Sequence, residues 1–173
     1  MSVNIELLVW LPPLIFILHD MEEIIFGMAW KKHEPNIKKH VSIKFVPFGT
    51  ARDTAGFSAC VYEELLILTV ISLFSSLTGH CGLWFGMMAA NCFHLIVLHI
   101  VGGSVVYRAY VPGLVTACVT VIPCIWVLSA SEHLLHYSVL EMSAWIFIGI
   151  IVAMVNLHIL HQFAGRIGNM GSR

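Results

Sequence analysis

Five apolar stretches, each about as long as a bilayer is thick, occupy most of this chain and constrain its fold more than any motif does. A membrane helix needs about 20 mostly apolar residues, each rising 1.5 Å. Windows at about 7–30, 55–77, 81–105, 112–130 and 142–164 meet that requirement. Irregular backbone would leave its N–H and C=O groups unpaired in hydrocarbon, so each window is read as a helix. The predicted fold is therefore all-α: one membrane domain over residues 1–173, a bundle of about five transmembrane helices. Composition agrees. The chain is 58% hydrophobic with a mean hydropathy of +0.87, and 11% of it is charged. Soluble domains carry about 25% charged residues.

Basic residues orient the bundle, because short cytoplasmic loops retain lysine and arginine. Six of the nine lie between the first two windows: Lys31, Lys32, Lys38, Lys39, Lys44 and Arg52. Arg108 separates the third and fourth windows, and Arg166 and Arg173 follow the fifth. Residues 1–6, 77–80 and 129–141 hold no lysine or arginine. One arrangement fits, with the N-terminus outside, the C-terminus inside and 31–54 as a basic cytoplasmic loop. The first window opens Leu7-Leu8-Val9-Trp10-Leu11-Pro12-Pro13 and lacks a basic leader and a small-residue cleavage site, so it is read as a span rather than a cleavable signal. A net charge of −1 without a basic patch excludes nucleic acid as a partner. The five cysteines form no CxxC pair, and in apolar runs they read as packing residues.

The chemistry lies in what breaks the apolar pattern. A charged side chain within a span costs about 2.5–3.5 kcal/mol on insertion scales and marks a functional site by default. The first span carries His19, Asp20, Glu22 and Glu23, and the second Glu63 and Glu64. The third carries Asn91, His94 and His99, and the fifth Asn156, His158 and His161. At 1.5 Å per residue, these carboxylates and imidazoles lie about 5–17 Å in from the cytoplasmic helix ends. Four helices thus place them in one layer, while the outer halves stay apolar.

Spacing sharpens the layer. His19, Glu22 and Glu23 stand at i, i+3 and i+4 and share a helix face, with Asp20 about 100° round. Asn91 and His94 share a face by the same rule, as do His158 and His161. His99 follows His94 by five, an offset that on an α-helix turns one of the two away. Thr116 and Thr120, one turn apart, read as helix packing.

Carboxylates and imidazoles converging from facing helices are what a two-metal site in a bundle requires. The candidate ligands are His19, Glu22, Glu23, Glu63, Glu64, His94, His99, His158 and His161, with Glu22, Glu23 and Asn91 also candidates for catalysis. Such a carboxylate-rich set suits two iron or manganese ions, and hence oxidation of a lipophilic or small substrate. A zinc hydrolase, in which a free glutamate activates metal-bound water, is the first alternative. A metal-free Glu/His intramembrane protease is the second, although no EExxxR pattern is present. A proton-coupled transporter or binding protein is the third.

His19-Asp20-Met21-Glu22-Glu23 in a first membrane helix resembles the signature of the HXXEE-domain family of small bacterial membrane proteins. Asn91-x-x-His94 and Tyr110-x-Pro112-Gly113-x-x-Thr116 resemble the same family's pattern, and the likeness covers most of the chain. It implies a multi-pass protein of a bacterial plasma membrane. The functional residues it implies are His19, Glu22, Glu23, Asn91, His94, Pro112 and Gly113. The family's activity is unassigned, so the resemblance adds no reaction.

Overall fold

A computed structural model of the chain describes residues 4–33, 48, 51, 53–106 and 108–167, without the side chains at 104–106, 161 and 163–167. Lys38, Lys39, Lys44, Arg52 and Arg173, on which much of the orientation argument rests, lie outside the described residues. The described residues are helical and contain no strand. Five long helical elements form the bundle, and four of them are long and apolar enough to cross a membrane.

The chain begins with the single turn α1 (Ile5–Leu8), whose first turn is capped by Asn4 accepting from the Glu6 N–H at 3.1 Å. α2 (Leu11–His33) follows, with Pro12 and Pro13 in its first turn, where N–H groups have no helical partner to lose. Its pattern is inverted relative to a soluble helix. His19, Asp20, Glu22 and Glu23 are buried, whereas Leu14, Leu18, Ile25 and Phe26 are exposed. An apolar outer surface around a polar inner face is what a helix in lipid requires. Those acidic residues make α2 the least apolar of the long helices, and it is the one that falls short of a span on composition.

Asp53 caps α3 (Thr54–Thr78), its side chain accepting from the Gly56 N–H at 2.8 Å. Left-handed Gly79 ends the helix and returns its N–H to the Ser75 carbonyl. α4 (Gly82–Phe93) runs directly into a π-helical segment, His94–Val106, and the two together make the third span. α5 (Leu114–Leu135) contains Pro123. α6 (Val139–Ile167) opens with a capping box: Glu141 accepts from the N–H and hydroxyl of Ser138, whose Oγ accepts from the Glu141 N–H.

α4 is the axis of the bundle. It packs on α2, α3, α5 and α6, and half of its span is buried, against 11% of α6's. Trp84 and Met88 of α4 pack with Leu8, Val9, Ile15, Ala117, Cys124 and Val127 in the main core. The Trp84 indole N–H donates to the Val9 carbonyl at 3.0 Å. α4 and α6 cross where Gly86 meets Gly149; a Cβ on either would run into the other helix's backbone. Without a hydrophobic drive between helices in lipid, such close approach is how they gain contact. All five cysteines are free, and four are buried.

The orientation is open to a direct test. Tags at Ser138, in the α5–α6 turn, should be accessible from outside the cell, and tags at Lys38 and the C-terminus only from inside. A cytoplasmic Ser138 would overturn the N-out arrangement.

Candidate metal centre

α2 brings the first two donors. His19 and Glu23 stand one turn apart, with His19 Nε2 3.8 Å from Glu23 Oε1. The π-helical segment brings the other two. His94 and His99 approach with Nε2 atoms 2.9 Å apart, and His99 Nε2 lies 3.0 Å from Glu23 Oε1. This corrects the expectation that the five-residue offset separates the two histidines. In a π-helix each turn closes an i→i+5 hydrogen bond, so residues five apart share a face. Such segments occur mostly as single turns at functional sites, and this one runs for 13 residues.

The four donor atoms lie within 4.8 Å of one another. The rings crowd as well, the His19 centroid being 4.4 Å from His99 and 5.7 Å from His94. Hydrogen bonds do not satisfy this arrangement. A proton on His99 Nε2 can serve Glu23 or His94, and His19 Nε2 is buried with no hydrogen-bond partner among the described residues. Three imidazoles and a carboxylate with donor atoms this close are a set that could hold a metal ion. Nitrogen ligands sit about 2.0–2.1 Å from zinc, so a tetrahedral set has donors about 3.4 Å apart. The observed separations are close enough for small side-chain movements to close the site.

Gly113 forms one wall. It precedes α5 at φ +93°, and a Cβ there would lie 2.6 Å from His99 Nδ1 and 2.7 Å from Glu23 Oε1. Only a residue without a side chain lets the α5 entry pass this close to the donors.

Glu22 is not one of the four. Its carboxylate turns to the start of α5, where Oε2 accepts from the N–H and hydroxyl of Thr116 at 2.8 and 2.7 Å, and Oε1 from the Tyr110 hydroxyl at 2.6 Å. A carboxylate at a helix N-terminus pairs with orphan N–H groups and the positive end of the dipole. Burial first, and then the hydrogen bond to Glu22, push the Tyr110 phenol well above its ordinary pKa, so it remains a donor. The Thr116 hydroxyl also lies 3.1 Å from His19 Nδ1. Thr116 is therefore part of the site surroundings and not a packing residue alone, whereas the Thr120 hydroxyl donates within its own helix to the Thr116 carbonyl. Sequence spacing missed Thr116 and Tyr110 as partners of Glu22; the only signal was their place in the Tyr110–Thr116 motif.

The remaining candidates lie elsewhere. Glu63 accepts from Asn156 at 3.1 Å, tying α3 to α6. Glu64 is half-buried, within electrostatic range of Glu23 and Asp20 but outside the group of four. Asp20 is buried and, among the described residues, its Oδ2 has no hydrogen-bond partner. Asn91, one turn before His94, is buried with its Nδ2 likewise unpartnered among them. His158 is exposed and hydrogen-bonds Gln162 one turn on, and the His161 side chain lies outside the described residues.

A family model described as "Protein of unknown function with HXXEE motif" matches residues 10–128, which include all four donors and the Tyr110–Thr116 motif. No curated protein and no solved structure matches the chain.

Proposed function

Because the chain belongs to the HXXEE-motif family, whose description assigns no activity, we propose from its own residues that it is a metal-dependent enzyme of the membrane. One ion is held by His19, Glu23, His94 and His99, and the substrate is lipophilic or small. The observation that carries this reading is the convergence of four donors within 4.8 Å, with the buried His19 Nε2 lacking a hydrogen-bond partner among the described residues. Four donors suit one ion rather than the two expected from the whole polar layer, since Glu63 and His158 are engaged elsewhere.

Imidazoles with a single carboxylate favour iron among the redox metals, because two histidines and a carboxylate form the usual facial set of non-haem iron oxygenases. Oxidation of an apolar substrate fits a centre placed within a multi-pass bundle whose outer surface meets lipid. The plasma membrane is the proposed location. The 3.0 Å contact between Glu23 and His99 favours one second reading. Three histidines hold zinc in carbonic anhydrase, and a carboxylate beside such an ion can take a proton from bound water. In that case Glu23 is the base of a hydrolase.

Elemental analysis tests the proposal. Protein purified in mild detergent, from cells supplied with metals and without chelator or nickel resin, should carry about one ion per chain. Iron would favour oxidation and zinc hydrolysis. Metal-free protein from that preparation would defeat the reading.

A further inference from the structure

We infer that Glu22, acting through the Thr116 hydroxyl, fixes the tautomer of His19, so that Nδ1 carries the proton and Nε2 is left bare. The inference deepens the metal reading and rests on it only for what Nε2 binds; the proton assignment follows from geometry alone.

Thr116 has one hydroxyl proton and three acceptors near it: Glu22 Oε2 at 2.7 Å, the His19 carbonyl at 3.2 Å and the Gly113 carbonyl at 3.3 Å. The carboxylate is both the nearest and the charged one, so it takes the proton. The Thr116 oxygen then has only lone pairs to offer His19 Nδ1, 3.1 Å away. Nδ1 must therefore supply the hydrogen, and a neutral imidazole has only one.

The opposite tautomer fares worse at both ends. A hydrogen on Nε2 would face Glu23 Oε1 across 3.8 Å, too far for a hydrogen bond. Bare Nδ1 would compete with a carboxylate for the Thr116 proton. In the assigned form the bare atom is the buried Nε2, which has no hydrogen-bond partner among the described residues. A ligating histidine ordinarily donates its other N–H to a neighbouring acceptor, which orients the ring and fixes the tautomer. The two glutamates of the motif thus do different work. Glu23 is one of the four donors, and Glu22, anchored also by the Thr116 N–H and Tyr110, is a positioning residue.

The test uses the full chain in lipid nanodiscs, stripped of metal and labelled with nitrogen-15 histidine. The His19 signals are assigned by their loss in His19→Gln. Wild type should show His19 protonated at Nδ1. Thr116→Val keeps the backbone N–H to Glu22 but removes the hydroxyl bridge, so the Nδ1–H preference should be lost. Titrated with Zn(II) alone, this variant should bind about 10–100-fold more weakly than wild type. Thr116→Ser should restore both tautomer and affinity. An Nε2–H tautomer in wild type overturns the inference, and that spectrum decides it even if Thr116→Val fails to fold. An unchanged tautomer in Thr116→Val, or no rescue by serine, also overturns it. A tautomer that behaves as expected in protein that binds no zinc upholds the inference and counts against the metal reading instead.

Discussion

His19→Ala and Glu23→Gln are each expected to abolish most of the bound metal and to lower the melting temperature of the detergent-solubilised protein. Each removes one of four donors, and Glu22, Glu63 and His158 are held by other partners. An ion present at about 100–1,000 times its dissociation constant stabilises the fold by about 2.7–4.1 kcal/mol, and that contribution goes with it. A purely structural network predicts the reverse for Glu23→Gln. Glutamine keeps the shape and removes a buried charge, so without a metal it should be neutral or stabilising. The comparison is metal content and melting temperature for wild type, both variants and His133→Ala, which alters an exposed histidine at the far end of α5. A Glu23→Gln protein with full metal and a raised melting temperature would sink the metal reading.

Gly113→Ala should be as damaging although it removes no donor. The new methyl would contact His99 Nδ1 and Glu23 Oε1 at 2.6 and 2.7 Å, at a backbone φ of +93° that alanine adopts only under strain. Strain of about 1–3 kcal/mol and overpacking of about 1–3 kcal/mol give an expected loss of about 2–6 kcal/mol. Because the obstruction falls on two of the four donors, metal content should drop with stability. Gly103→Ala is the matched control. There the added Cβ meets Val111 at 3.6 Å, an ordinary contact, and the protein should keep its metal. Equal behaviour of the two variants would mean that Gly113 does not shape the site.

The helices were legible in the sequence, and angle around the helix axis was legible only in part. Apolar run length placed five helices. The i, i+4 spacing put His19 and Glu23 on one face, as found. The same rule failed at His94 and His99 because it assumes an α-helix, and no residue in His94–Val106 announces the wider π turn. It also grouped Glu22 with Glu23. One face of α2 is broad enough for Glu22 to reach Thr116 while Glu23 reaches His99, and only the position of α5 separates the two roles. Glu63 and His158, counted to the same layer, face other neighbours.

The inverted face of α2 has a consequence for how the chain is made. Three carboxylates cost about 2.5–3.5 kcal/mol each in a lone membrane helix, so α2 is a poor span when it leaves the ribosome. Its relief comes late. Thr116, which accommodates Glu22, lies 94 residues downstream, and the His99 facing Glu23 is also a distant residue in the chain. Until the π-helical segment and the entry of α5 have been synthesised, α2 has little to hold its acidic side chains away from lipid. Insertion of α2 is therefore expected to depend on arrival of the later helices, and a nascent chain halted before Gly113 should leave α2 outside the bilayer core or exposed to quality-control proteases.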